Sequence, residues 1–208
     1  MGALVFGFSP FLEYDENPSD LLARGLNGKR INGAAVTGVT LPVEYSRVGD
    51  ALMSAIDKAH PTVVLGFGLA AGRSKVTPEK LAVNYLSSKK TDNAGTQMSG
   101  ERIDPREADA YFTPLPVEGL VDELNKRGVP ASLSLSAGTY ICNQAMFISI
   151  REGRKLGFPA GFVHLPAHTE WVASKGKELP SLPLDTIRQA AEVSLNYALS
   201  HAGPTPDV

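Results

Sequence analysis

The chain carries one cysteine, one tryptophan and four histidines in 208 residues. A lone cysteine excludes an internal disulfide framework and any CxxC-type metal site. The absence of disulfides fits a reducing compartment. No sign of charge dominates: Lys plus Arg number 20 and Asp plus Glu 22, for a formal net charge of −2. Nucleic-acid binders carry a basic excess, so nucleic acid is not an expected partner. No apolar run reaches the roughly 18 residues of a membrane span. The N-terminal MGALVFGFSPF lacks a basic leader, and its apolar run is too short for a signal peptide. Together these absences predict a cytoplasmic protein that does not enter membranes.

What is present is ordinary for a globular domain. Hydrophobic residues make up 43% and charged residues 20%, close to the averages for such proteins. The length suits one α/β domain with a core that needs neither disulfide nor metal. Short β-like runs alternate with helical patterns, the signature of a sheet covered on both faces. The expected strands are Ala3–Phe8, Ala35–Val43, Thr62–Phe67, Ala131–Leu135 and Ala160–Leu165. The expected helices are centred on Val48–Ala59, Val117–Leu124, Tyr140–Lys155 and Ile187–Leu199. From Ser87 to Leu115 the chain is polar, with no sustained periodicity. An unstructured stretch of that length inside a compact domain usually marks a lid or a linker. Residues 203–208 are expected to fray.

The cysteine is the first candidate for chemistry. Cys142 follows a predicted strand and falls in the first turn of a predicted helix, with Thr139 as the expected N-cap. Unsatisfied amides and the positive end of the helix dipole would stabilise a thiolate there, or an oxyanion formed by its attack. The competing reading is a small buried hydrophobe. A thiol nucleophile needs a base. His60 and His201 end helices, whereas His164 closes the strand Ala160–Leu165, the kind of position where α/β sites gather. His168 is near enough to compete. Glu79 would orient the imidazole, although its own neighbourhood reads as the acidic first turn of a helix. The glycine-rich Gly66–Arg73 lacks a P-loop ending and a GxGxxG, so it reads as tight turning beside a site.

The chain resembles pyroglutamyl peptidase type I, a cysteine peptidase family. The resemblance is carried by Gly7-Phe8-Ser9-Pro10-Phe11, Asn17-Pro18-Ser19, Leu41-Pro42-Val43 and Ala71-Gly72-Arg73. It continues through Thr77 to Asn84, Asp92-Asn93, SLSAGTYICN (Ser134–Asn143) and Gly161-Phe162-Val163-His164-Leu165-Pro166. It implies a three-layer α/β/α sandwich with a mixed, largely parallel twisted sheet. It implies that Cys142 is the nucleophile, His164 the base and then the acid, and Glu79 the orienting carboxylate. Phe8, Phe11, Asn17, Tyr140 and Ile141 match the pocket for the pyroglutamyl ring. Leu69 stands at a pocket position where the family commonly has glutamine. Lys89 and Lys90 replace an arginine and an apolar pocket residue. The resemblance also implies peptide substrates with an N-terminal pyroglutamate, no metal or other cofactor, and a homo-oligomer, either dimer or tetramer. Two other readings are a catalytically weak family member that only binds such ligands, and a nucleoside-phosphorylase-like enzyme on a similar sandwich.

Overall fold

The computed structural model describes residues 2–202, so the tail expected to fray lies outside the described residues. The elements in chain order are β1 (Gly2–Phe8), α1 (Pro18–Leu26), β2 (Arg30–Ile31), β3 (Ala34–Leu41), α2 (Val48–Ala59) and β4 (Val63–Leu69). Next come β5 (Thr77–Pro78), β6 (Leu81–Val83), β7 (Leu86–Ser87), β8 (Ser99–Glu101), β9 (Ala110–Phe112) and α3 (Val117–Lys126). The chain closes with α4 (Ile141–Leu156), β10 (Ala160–Leu165), β11 (Ala167–His168), α5 (Thr169–Ser174), β12 (Ser181–Leu182) and α6 (Leu184–Ser200).

The main sheet has the order β2-β3-β1-β4-β10-β5. Its four inner strands are parallel, and β2 and β5 pair antiparallel at the edges. The inner strands are nearly continuous apolar runs because both faces are covered. Successive side chains alternate between two cores. Ala3 and Val5 of β1, with Val163 and Leu165 of β10, pack against α1, α3 and α6. Leu4, Phe6, Phe8 and Phe162 pack with α2 and α4. This is a three-layer α/β/α sandwich.

Two local expectations are corrected, and one helix is added. Ala131–Leu135 is no strand: only Ala131 and Ser134 make isolated parallel bridges, to Val76 and Glu79. Its alternating pattern runs opposite to the burial it suggested, for Leu133 and Leu135 face outward while Ser134 Oγ turns toward Arg73. The 87–115 segment is not structureless. Its strands β8 and β9 pair antiparallel with β7, at its start, and β6, just before it. It is ordered by polar side chains that bond backbone, which no apolar periodicity reveals. Asn84 takes the amide of Asp104 and donates to the carbonyls of Asp104, Glu107 and Ala108, and Asp92 accepts from the amides of Tyr45, Ala94 and Thr96. Finally, Asn17 begins a helix the periodicity left unmarked. Its side chain caps α1 at Ser19 N, with Pro18 in the first turn.

Candidate active site

Strand parity decides which way the site faces. In β10, Val163 and Leu165 point to one core and Ala160 and Phe162 to the other. His164 therefore shares the Phe162 face, and the two rings meet edge-on at 5.0 Å. That face is covered by α4, the helix whose second residue is Cys142. His164 pairs in register with Gly68 of β4. A Cβ built on Gly68 would lie 2.9 Å from Cys142 Sγ and 2.7 Å from Phe162 Cζ. Gly68 thus leaves the space that the sulfur occupies, beside the strand position of His164. Gly66, two residues earlier, does the same for the rings of Phe6 and Phe162. Both glycines belong to a buried strand, Gly66 within the expected Thr62–Phe67 and Gly68 in its extension, and the tight turn comes later in the run, at Ala71 and Gly72. Their place in the strand leaves them no role as a phosphate-binding loop.

Glu79 is not in a helix. It follows β5 in extended backbone and bridges Ser134. Its carboxylate is fully buried, with Oε1 2.7 Å from His164 Nδ1. Arg73 Nη1 donates to the same oxygen at 2.7 Å. Arg73 also bonds Thr77 Oγ1 and the carbonyl of Ser136. Arg73 belongs to the Ala71-Gly72-Arg73 run that carries the family resemblance, but no local pattern in the chain marks it as a partner of Glu79.

The charge states follow from these contacts. Burial works to raise the Glu79 carboxyl, but His164, Ser134 and Arg73 together hold it below the usual carboxylate range. Burial pushes the His164 imidazole down, against the pull of Glu79. Burial also pushes the Cys142 thiol up to about 12, assisted by the Glu79 charge and opposed by Arg73. Both directions favour a neutral thiol and a neutral imidazole at rest, and a carboxylate at Nδ1 favours the tautomer with its proton there, leaving Nε2 to accept one.

The helix start differs from expectation in one detail. The N-cap of α4 is Tyr140, which makes no side-chain cap, while Thr139 Oγ1 donates to the Ser87 carbonyl. Nothing on the N-cap side chain competes for the first-turn amides, which lack intrahelical acceptors.

These groups open into one cavity of about 250 Å³, lined by Phe8, Phe11, Tyr14, Asn17, Leu69, Tyr140, Ile141, Cys142 and His164 among others. All six expected pocket residues line it. Asn17 is occupied as a helix cap as well, and its Nδ2 donates to Ser9 O. Phe11 is fixed through Tyr14, 5.6 Å away, and Tyr14 through Trp171 at 4.9 Å. Val43, Ala70, Ala71, Ser88 and Ala137 also line the cavity; small or apolar, they carried no chemical signal in sequence. Lys90 lines it too, but its side chain is exposed, so its ammonium stays in water rather than buried in the wall. His168 is spent elsewhere: it caps α5 through Trp171 N and meets Glu16 and Glu170.

Among known proteins, the chain is similar to pyrrolidone-carboxylate peptidase of Saccharolobus islandicus, 49% identical over 201 residues that cover 97% of this chain and 96% of that protein. The enzyme of the same name from Halalkalibacterium halodurans is 40% identical over 195 residues, covering 92% and 96%. The structure of pyrrolidone carboxyl peptidase from Pyrococcus furiosus matches with a TM-score of 0.92 at 34% identity, covering 96% of this chain and 99% of that one. A family model described as pyroglutamyl peptidase matches residues 1–201. With the sandwich shared and the match running along nearly its whole length, the chain belongs to the pyroglutamyl peptidase family.

Proposed function

We propose that Cys142, His164 and Glu79 carry out the hydrolysis of the amide that follows an N-terminal pyroglutamate. The observation that carries this reading is Cys142 Sγ packed over Gly68, the register partner of a His164 whose Nδ1 is tied to buried Glu79. The cavity, about 250 Å³, is small beside the roughly 300–1,000 Å³ pockets of drug-sized ligands. That size and its apolar wall suit one neutral lactam ring and the start of the next residue.

Cys142 Sγ attacks the carbonyl of the pyroglutamyl group while His164 Nε2 takes the thiol proton. A neutral resting pair requires this general-base step, because the sulfur ionises only as it bonds. Glu79 fixes the Nδ1–H tautomer and stabilises the imidazolium as it forms. The uncapped first-turn amides of α4 serve the oxyanion. His164 then gives its proton to the leaving amine, and the C–N bond breaks to leave a thioester. His164 next removes a proton from water as that water attacks the thioester carbonyl. Collapse returns the proton to sulfur and releases pyroglutamate.

The reading extends to peptides with N-terminal pyroglutamate as substrates, to a cytoplasmic setting and to a homo-oligomer, dimer or tetramer. The exposed Leu135 and Phe112 supply apolar surface for such an assembly, which light scattering on purified protein would size. Among the described residues no helix is long and apolar enough to cross a membrane. The test of the activity is release of a fluorescent amine from a pyroglutamyl amide, before and after thiol alkylation. Turnover that alkylation leaves untouched would overturn the cysteine mechanism.

A further inference from the structure

The cavity holds one feature the reaction does not use. Lys90 lines it along with Cys142 and His164, yet the pyroglutamyl ring is neutral and offers an ammonium no opposite charge. The local backbone is anchored. Lys90 N donates to Ser88 Oγ at 3.0 Å, and Tyr140 Oη donates to the Thr91 carbonyl at 2.9 Å. A flexible cation therefore projects from a fixed root on the pocket wall.

The acids along the segment that contributes Tyr14 and Asn17 to the wall face other groups: Asp15 pairs with Lys175, Glu13 Oε1 lies 4.0 Å from Lys177 Nζ, and Glu16 Oε2 stands 3.3 Å from His168 Nε2. Asp92, two residues beyond Lys90, gives its oxygens to three backbone amides. Lys90 is left without an ion-pair partner among the described residues. Apart from Lys90, no Lys, Arg, Asp or Glu among the described residues lines the cavity, and burial disfavours the charged form of its one histidine, His164. With the ring against the apolar wall and the scissile carbonyl at Cys142, the rest of the peptide leaves through the opening, where the Lys90 side chain is exposed.

Building on the peptidase reading above, we infer that Lys90 selects substrates bearing a carboxylate immediately after the pyroglutamyl group. That carboxylate is either the side chain of a following Asp or Glu or the free C-terminus of a pyroglutamyl dipeptide. An ammonium held at the rim attracts such a group and contributes a modest, salt-sensitive preference.

The test compares kcat/KM in two pairs of substrates at low salt. Pyroglutamyl-glutamic α-amide against pyroglutamyl-glutamine amide reports on the side chain. Pyroglutamyl-alanine against its amide reports on the free C-terminus. The expected result is an acid-to-neutral ratio of about three to five in at least one pair, typical of an exposed ion pair, shrinking toward one at about 1 M salt. Lys90→Met should bring that ratio to one, Lys90→Arg should keep it, and Lys90→Glu should invert it. The pair that responds identifies which carboxylate is read. A wild-type ratio of one in both pairs, or a preference that survives Lys90→Met, overturns the inference while leaving the peptidase reading intact. Failure of the wild type to cleave any of the four overturns both.

Discussion

Glu79 Oε1 stands 2.7 Å from His164 Nδ1 in a contact sealed from solvent on both sides. The same oxygen receives Arg73 Nη1, so one carboxylate oxygen joins the imidazole to a guanidinium. Glu79→Gln removes the charge that stabilises the imidazolium and can present an amide to the wrong tautomer. Such changes lower turnover by up to about 10⁴. We expect Glu79→Gln to be impaired but measurable, with a shifted pH–rate profile. A profile and rate equal to wild type would show that Glu79 plays no part in orienting the base.

The thiol is expected to be indispensable and sluggish when free. Cys142→Ser and Cys142→Ala should both abolish peptidase activity while leaving the circular dichroism spectrum unchanged. Because burial pushes the thiol up to about 12, iodoacetamide should modify the resting enzyme slowly at neutral pH and faster as the pH rises. Activity above a few per cent in purified Cys142→Ala contradicts the assignment. Fast alkylation at pH 6 contradicts the neutral resting pair.

His164 and His168 should separate cleanly. His164→Ala should lose roughly 10²–10⁴ in kcat or more, as for loss of a general base. His168→Ala should mainly lower the melting temperature, since removing a helix N-cap costs about 1 kcal/mol. The reverse pattern would reassign the base.

Acid should destabilise the fold through this site. His164 is depressed from 6.5 and Glu79 from 4.5. A group depressed by folding adds stability above its unfolded pKa, and that stability is lost as the pH falls toward the folded value. The His164 contribution is therefore whole above pH 6.5 and fades below it, with the Glu79 contribution following below pH 4.5. Urea midpoints should fall between pH 7 and pH 5 more steeply in wild type than in His164→Asn. Equal slopes would show that His164 is not depressed.

How much of this the sequence disclosed depends on what each residue contacts. The inner strands and the helices α2, α3, α4 and α6 were legible because each buries an apolar face with its own period. The strand-end position of His164 and the helix-start position of Cys142 followed from those elements. Glu79 was misread locally because its partners are distant: His164 lies 85 residues away. Segment 87–115 was opaque because Asn84, Asp92 and Asp104 order it by bonding backbone. Gly68 resembled a turn residue because no one-dimensional pattern shows a sulfur packed against its α-carbon.

That last residue gives the sharpest test of the site geometry. An alanine methyl at position 68 would approach Cys142 Sγ to 2.9 Å and Phe162 Cζ to 2.7 Å, closer than packed atoms tolerate, so the sulfur or the ring must move. Overpacking a core typically costs about 1–3 kcal/mol, and a nucleophile displaced by about 1 Å can lose roughly 10² in rate. Gly66→Ala serves as the control, because the three atoms nearest its methyl all belong to the rings of Phe6 and Phe162, at 2.2 and 2.5 Å. Gly66→Ala should therefore act chiefly on stability. Gly68→Ala should lower kcat about 10²-fold in the fraction that stays folded, a larger loss of rate for each degree of melting temperature forfeited. If folded Gly68→Ala keeps wild-type kcat, the sulfur does not attack from its place over β4, and the proposed alignment of Cys142 with His164 is wrong.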